Sequence, residues 1–294
     1  MSKTIYYFSG TGNSLVVARG LSESINAKLI SIPSVINDSG LRITDNIMGI
    51  VFPVYHQGIP LIIKEFINNI EGLEDKYIFA ICTYGDSPGI SLKYLGRILK
   101  SSGGNLAVGF AVRMPYNYIN PAFTLGNFFN SFKLREISQE KKQEMFSNWK
   151  KKFKTTSGYI QAQKRGKIEV EAEIIEKLVD FLNLRNTLQK YVWLKASGYE
   201  GDFNITFEES ISLMDYGFNV TYHCNGCGVC SYICPVDNIN IENNSPVWLH
   251  QCEQCFACIQ WCSKEAIQFR NGTLKKQRYH HPEVKLSDML LKDI

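Results

Sequence analysis

The chain has 294 residues, 45% of them hydrophobic, and a formal net charge of +4. That length leaves room for two domains, and that apolar content supports a sizeable core. No apolar run approaches the roughly 20 residues that cross a bilayer, so no membrane span is expected, and a charge this small gives no argument for nucleic acid as a partner. Met1 to Gly10 lacks a charged stretch followed by a long apolar one, which makes a cytoplasmic location the expectation.

Lys3 to Phe8 reads as a short strand, Ser9-Gly10-Thr11-Gly12-Asn13-Ser14 as a tight turn, and Leu15 to Ser24 as a helix. Strand, small polar turn and helix together make a phosphate site: glycines let the backbone approach, hydroxyls and amides donate, and the helix N-terminus favours negative charge. Lys and Arg are absent from the loop and no Gly-Lys-Ser/Thr follows, so a nucleoside-triphosphate loop is excluded. Leu15 stands where a dinucleotide fingerprint needs its third glycine, and a phosphomonoester fits better than a pyrophosphate. A plain strand-to-helix turn with an N-cap is the alternative.

Further strand patterns occur at Lys28–Ile32, Ile47–Phe52, Tyr77–Thr83 and Leu106–Val112, with helical patterns near 60–70 and 90–100. This alternation predicts a doubly wound α/β domain on a five-stranded parallel sheet. Ligands on such sheets bind beyond the carboxyl ends of the strands. Two loops fall there, Pro53-Val54-Tyr55-His56-Gln57-Gly58-Ile59-Pro60 and Thr83-Tyr84-Gly85-Asp86-Ser87-Pro88-Gly89. Both mix aromatic, small and polar residues, as a flat heteroaromatic ligand requires. Tyr55 and Tyr84 are candidates to stack on it, with ordinary core packing as the other reading. Cys82, late in an apolar strand, reads as core. Met114-Pro115-Tyr116-Asn117-Tyr118 lies at the same sheet end and either covers the ligand or simply opens an insertion reaching Phe132.

From Lys133 to Lys167 eleven Lys/Arg face three Asp/Glu. A solvated helix face is the plain explanation, and a docking surface for an acidic redox partner or for the other domain is the sharper one. Met145, Phe146, Trp149 and Phe153 recur there at helical spacing and predict one buried face. Residues 168–196 (Ile168, Ile175, Leu178, Val179, Leu182, Leu188, Val192) read as an amphipathic helix, broken near Asn186. Gly198 to Ser210 reads as a linker, and the residues after Gly272 read as a basic surface arm.

Eight of the nine cysteines form two copies of Cys-x₂-Cys-x₂-Cys-x₃-Cys: Cys224, Cys227, Cys230, Cys234 before Pro235, and Cys252, Cys255, Cys258, Cys262 before Ser263. Each run carries the thiolates for one cubane. Zinc modules usually set two Cys-x₂-Cys knuckles a dozen or more residues apart, so a pair of Cys₄ zinc sites is the weaker alternative. In bacterial two-cluster ferredoxins the fourth cysteine of a run ligates the other cluster. The expected sets are therefore crossed: Cys224, Cys227, Cys230 and Cys262 for one [4Fe–4S] cluster, and Cys252, Cys255, Cys258 and Cys234 for the other. His223 and His250 flank the runs and read as groups that tune potential through contacts with the ligands.

The Ser9–Ser14 turn resembles the FMN-phosphate loop of flavodoxins, and the loops at 53–60 and 83–89 resemble the pair that sandwiches the isoalloxazine ring. With the cysteine runs, Pro246-Val247-Trp248 and Arg278-Tyr279-His280-His281-Pro282, the chain resembles the ferredoxin–flavodoxin fusion proteins of anaerobes. Ser263 departs from the proline that commonly follows the last cysteine. The resemblance implies FMN and two [4Fe–4S] clusters, with a flavodoxin-like domain over 1–200, an α+β bacterial ferredoxin-like domain over 215–272 and a tail over 273–294. It assigns FMN binding to Ser9, Gly10, Thr11, Gly12, Asn13, Ser14, Pro53, Tyr55, His56, Gly58, Thr83, Tyr84, Gly85, Asp86 and Gly89. Gly58 and Gly85 have the freedom to turn a carbonyl towards the flavin, and His56 is either a proton donor or a hydrogen-bonding surface residue. The implied function is electron transfer between clusters and FMN, which converts one-electron to two-electron chemistry. FMN-dependent reduction of a small molecule is the alternative, and a redox sensor acting through a partner is a third reading. The partners expected are redox proteins, with a homodimer as a further possibility.

Overall fold

The computed structural model describes residues 1–38, 40–56, 58–117, 137–171, 174, 178, 182–270, 272–274 and 276–291. Gln57, the insertion from Tyr118 to Phe132, Ile175, Val179 and Lys275 lie outside the described residues. The chain divides into two compact units, Met1–Tyr116 with Ile137–Glu176, and Asn117–Glu136 with Lys177–Ile294.

The first unit is built on β1 (Lys3–Tyr7), β2 (Lys28–Ser31), β3 (Ile47–Pro53), β4 (Tyr77–Tyr84) and β5 (Leu106–Arg113), all parallel, in the order β2-β1-β3-β4-β5. That order is the flavodoxin-like one among doubly wound sheets. β3 and β4 are buried almost end to end while β2 is half-exposed, as central and edge strands covered on both faces should be. Helices α1 (Asn13–Ile25), α2 (Leu61–Asn69), α3 (Ser91–Ser101) and α4 (Gln139–Gln161) connect and cover the sheet.

Alternation along the strands sorts the side chains between the two faces. Ile5, Phe79, Ile81 and Phe110 join Val17 and Leu21 of α1 and Trp149 and Ile160 of α4 in one core. On the other face the Tyr6 ring lies 5.0 Å from Phe66 of α2. Met145 and Trp149 are buried in α4, and Phe146 and Phe153 pack partly buried on the same core. This is the buried face that their spacing predicts, and Lys141, Lys150, Lys151 and Lys154 of α4 are exposed. Cys82 is wholly buried, and burial pushes its thiol far up, as expected of a core cysteine.

Residues 168–196 do not form one amphipathic helix. Ile168 instead forms a parallel bridge with Gly109, where Gly109 N–H donates to Lys167 O (2.8 Å) and Glu169 N–H to Gly109 O (3.0 Å). An exposed sheet edge offers unpaired backbone groups, and this segment satisfies some of them. Leu178, Leu182 and Leu188 are about half exposed. The break expected near Asn186 is a π-helical turn, Arg185–Gln189, leading into α5 (Lys190–Ser197). The expected linker also proves shorter, because a Thr206–Glu209 capping box starts α6 (Phe207–Leu213).

The second unit pairs β6 (Phe218–Val220) with β9 (Ile267–Phe269), and β7 (Ile239–Glu242) with β8 (Ser245–Trp248), both antiparallel. Short helices α7 (Val229–Tyr232) and α8 (Ala257–Gln260) carry the third cysteine of each run. The described part of the tail is not a surface arm. Tyr279, His281, Val284 and Met289 are buried, and Arg278 Nη2 donates to Ile267 O (2.9 Å). Tyr279 N–H donates to Gln260 Oε1 (2.6 Å), and His280 stacks on Trp261 at 4.3 Å. Among the described residues no helix is long and apolar enough to cross a membrane.

Phe79 sits at the centre of the first core with no solvent exposure. Phe79→Ala is expected to cost about 3–5 kcal/mol by removing the ring and leaving a cavity. A urea titration followed by far-UV circular dichroism measures it, and a loss below about 1 kcal/mol would mean the core collapses around the gap.

Candidate cofactor sites

In the first unit three loops converge at the carboxyl end of the sheet. Gly12 is the N-cap of α1 with φ 91°, a left-handed conformation that a side chain would strain. Its N–H donates to Ser9 Oγ (3.1 Å), so Ser9 shapes the turn from within. Ser14, fully buried, shares a 2.8 Å hydrogen bond with Thr83 Oγ1, which fastens the turn to the end of β4. Asn13 Nδ2 donates to Pro115 O (2.7 Å), which brings the segment after β5 to the same place. Gly10 is buried, and Thr11 is half-buried.

The loop after β3 is tied by Val54 N–H to Thr83 O (2.8 Å). Just beyond Pro53, Tyr55 and Gly58 bond each other's backbones (3.2 and 2.8 Å) around His56, whose φ is 50°. Tyr55 is half-buried and meets Phe8 edge-on with centroids 6.1 Å apart.

The loop after β4 has its own reasons for its residues. A Cβ at Gly85 would come within 2.5–2.8 Å of the Tyr116 side chain, so the glycine lets that ring close over the loop. Gly85 O accepts from Arg113 Nε at 3.0 Å, so the carbonyl proposed to turn is held by an arginine. Tyr84 Oη donates to Glu171 Oε1 (3.2 Å). Burial first, then the Glu171 charge, pushes the Tyr84 hydroxyl up to about 12. Asp86 is exposed; Gly89 has φ 51° and accepts from Glu171 N–H (3.2 Å).

Beside this end lies a cavity lined by Tyr84, Ala111, Arg113, Asn148, Trp149 and Lys152 among others. Lys152 Nζ donates to Glu169 Oε2 (2.5 Å) and to Ala111 O (2.8 Å), while Glu169 also accepts from Ala111 N–H (2.9 Å). Burial raises the Glu169 carboxyl. The hydrogen bonds from Lys152 and Ala111 outweigh it and hold the group below the ordinary value.

In the second unit the two runs interleave. One cavity is lined by Cys224, Cys227, Cys230 and Cys262, so the last cysteine of the second run sits with the first three of the first run. Conversely, Cys234 lies near enough to Cys255 and Cys258 to act on both thiols. The sets differ in depth. Cys227 is exposed and Cys224, Cys230 and Cys262 are half-buried, whereas Cys234, Cys252, Cys255 and Cys258 are all buried. We call them the outer and inner sets.

All eight cysteines are free of disulfides. Burial, then mutual repulsion with Cys227 and Cys262, pushes the Cys230 thiol up to about 12. Burial and the neighbouring cysteines likewise push Cys255 up to about 12, and Cys252 and Cys258 rise well above the ordinary value. Neighbouring buried sulfurs can be thiolates together only around a multivalent cation, so the inner set has the chemistry of a metal centre, and the outer set offers four thiols around one cavity. Among the described residues no three His, Cys, Asp or Glu side chains gather tightly enough for a single metal ion. The outer cysteines are instead spread around the walls of their cavity.

Backbone donors already face the sulfurs: Asn238 N–H to Cys234 Sγ (3.2 Å), Gln254 N–H to Cys252 Sγ (3.3 Å) and Ala266 N–H to Cys262 Sγ (3.3 Å). The half-buried Arg278 sits where its charge reaches Cys262 and Cys258. Both features lower the cost of negative charge on these sulfurs. His223 is exposed beside Tyr222, and His250 Nδ1 pairs with Asp215 Oδ1 at 2.6 Å.

No family model matches the chain, and no curated protein matches it. Among solved structures it is similar to a flavoprotein in complex with FMN from Lactobacillus acidophilus, with 15% identity over 38% of this chain and 92% of that one, at a TM-score of 0.29. Megasphaera elsdenii flavodoxin aligns at 14% identity, 38% and 85% coverage and TM-score 0.29. A flavodoxin from the domain Archaea aligns at 12%, 52% and 99%, and 0.30. At these scores the likenesses carry no argument, and the strand order alone makes the first unit flavodoxin-like.

Glu169 is held ionised by Lys152, so its stabilisation is complete above the ordinary carboxyl value of 4.5 and is lost as pH falls through its lower folded value. Lys152→Met is therefore expected to lower Tm at pH 7 and to approach the parent's Tm as the pH drops below 4.5. Thermal melts across that range check it; a gap constant with pH would show that Lys152 acts by packing alone.

Proposed function

We propose that the chain is an electron-transfer flavoprotein that binds FMN at the carboxyl end of its parallel sheet and two [4Fe–4S] clusters on its crossed cysteine sets. The observation that carries this reading is the interleaving, with Cys262 among Cys224, Cys227 and Cys230, and Cys234 beside Cys255 and Cys258. Exchange of the fourth cysteine is the arrangement of two adjacent cubanes in one small domain.

FMN supplies an electron store that takes one or two electrons, and the clusters supply one-electron steps. The protein's own part is positional and electrostatic. The Ser9–Ser14 turn, braced by Thr83 and Pro115, presents small polar residues and the α1 N-terminus to a phosphate. Tyr55, Tyr84 and the Tyr116 ring over Gly85 supply aromatic walls for a flat ring. In the second unit, N–H donors to three sulfurs and the Arg278 charge stabilise the more negative state of a centre. The partners are redox proteins, and the basic face of α4 suits an acidic one. A cytoplasmic location belongs to the same proposal.

One observation favours a second reading, reduction of a small molecule. The cavity bordered by Tyr84, Arg113 and Lys152 adjoins the flavin loops and carries cationic and aromatic groups together. Anaerobic stopped-flow with candidate donors separates the readings, because rapid two-electron reduction by a nicotinamide would displace the carrier role.

Anaerobically purified protein is expected to hold about eight irons, about eight sulfides and about one FMN per chain. About two zinc ions and no iron would overturn the assignment. The crossing has its own test. Cys227→Ala with Cys262→Ala together should remove one cluster and leave about four irons. Loss of nearly all the iron would mean that the two residues serve different clusters.

A further inference from the structure

Three segments distant in sequence meet under the inner cysteine set. Asp215 lies in the turn before β6 with its side chain fully buried, Asn238 follows Cys234 by four residues and is 1% exposed, and His250 precedes Cys252 by two. Asn238 bonds in four directions. Its N–H donates to Cys234 Sγ (3.2 Å) and its Nδ2 to Asp215 Oδ2 (2.9 Å). Its Oδ1 accepts from the N–H groups of Leu249 (3.2 Å) and Gln251 (2.6 Å), and its carbonyl also accepts from Leu249 (2.9 Å). Asp215 in turn accepts from His250 N–H (3.1 Å) and shares a 2.6 Å contact with His250 Nδ1, while Tyr216 stacks on the His250 ring at 4.1 Å and 2°. Two assigned donors, Asn238 Nδ2 and the His250 N–H, therefore face the Asp215 carboxyl, with the His250 ring nitrogen beside them.

We propose, building on the two-cluster reading, that Asp215 and Asn238 are positioning residues that clamp the loops bearing Cys234 and Cys252 together, and that the Asp215 charge holds the inner cluster at a lower potential than it would otherwise have. The clamp answers a specific difficulty. Cys234 comes from the first run and its three partners from the second, so the inner cluster closes only if two separate loops stay in register. Asn238 touches both, one through the Cys234 sulfur and the other through the amides of Leu249 and Gln251. Asp237 and His250, on either side of the joint, have left-handed φ values of 51° and 61°. Such conformations persist where surrounding bonds enforce them. The charge has a direction as well. Reduction makes a cluster more negative, and a buried carboxylate beside it opposes that change, because a low-dielectric interior screens it poorly. Asp215 holds the backbone N–H of His250, two residues before Cys252, so its charge lies beside that loop. Neither side chain touches the outer set through any of these bonds.

The test uses the full chain purified anaerobically, with iron counts and a redox titration followed by electron paramagnetic resonance. Asp215→Asn, close in shape, is expected to move one of the two cluster potentials upward and leave the other in place. Asn238→Ala is expected to halve the iron, and the surviving signal should be the one that Asp215→Asn leaves unmoved. FMN content and far-UV circular dichroism confirm that each variant is folded. If Asp215→Asn also loses half the iron, with the outer signal intact, the clamp is supported. Full iron with both potentials unmoved in the two variants would overturn the proposal, as would equal loss of both clusters. A parent protein holding zinc in place of iron would sink the two-cluster reading first, and that outcome is visible before any variant is made.

Discussion

The second unit is governed by the cost of burying sulfur. Its core is not a hydrocarbon core with a site attached. Cys234, Cys252 and Cys258 pack in the same cluster as Phe218, Phe256, Ile259 and Phe269, with Cys230 and Trp248 against it. As neutral thiols these residues behave as small hydrophobes. As thiolates they need a cation, because burial and mutual repulsion both oppose ionisation. A domain this small has little surface to bury, and bound metal commonly supplies the missing stability. On the proposed ligation the crossing of the runs meets the same constraint: exchanging Cys234 and Cys262 would tie each short helix to the other loop, so that neither half closes alone.

The first unit solves a different problem with standard parts. Parallel strands covered on both faces leave only their ends for polar chemistry. The loops after β1, β3, β4 and β5 therefore meet at one end, and Ser14, Thr83, Asn13 and Pro115 knit them together. Several residues that would serve a ligand are already employed in this knitting. Ser9 Oγ accepts from Gly12, and Gly85 O is held by Arg113. A binding loop braced this way keeps its shape with little further ordering on binding, which favours affinity by preorganisation.

The sheet was legible because its signal is local. β-branched and aromatic runs such as Ile47-Met48-Gly49-Ile50-Val51-Phe52 can be read without knowing their neighbours, and β3 ends one residue later than predicted. The cysteine runs are a local pattern of the same kind, and the structure brings Cys262 to the cavity of the first run. Ile168 failed because periodic apolar spacing cannot distinguish a helix from a residue that adds itself to a sheet edge, as its bridge to Gly109 does. The tail failed because its basic composition hid buried anchors, Tyr279, His281 and Met289. Gly85 reads in the sequence as a flexible residue near a cofactor, and the structure adds a second reason for it, because a Cβ there would meet the Tyr116 side chain thirty-one positions on.

The Asp215–Asn238 joint marks the limit of that kind of reading. Pro235-Val236-Asp237-Asn238 looks like an ordinary polar turn after a cysteine, and Asp215 sits in a stretch with no motif. Their meaning arises only when three loops are brought together and the Asp215 side chain is found with no exposed surface, held by Asn238 and His250. A buried charge has a high desolvation cost unless its partners are in place, so such a group must be fully satisfied in the fold. The ligands of a cluster are dictated by its chemistry and therefore recur at recognisable spacing. The hydrogen bonds that join the loops bearing Cys234 and Cys252 are dictated by the packing of one particular chain, and that is why the structure reveals them and the spacing does not.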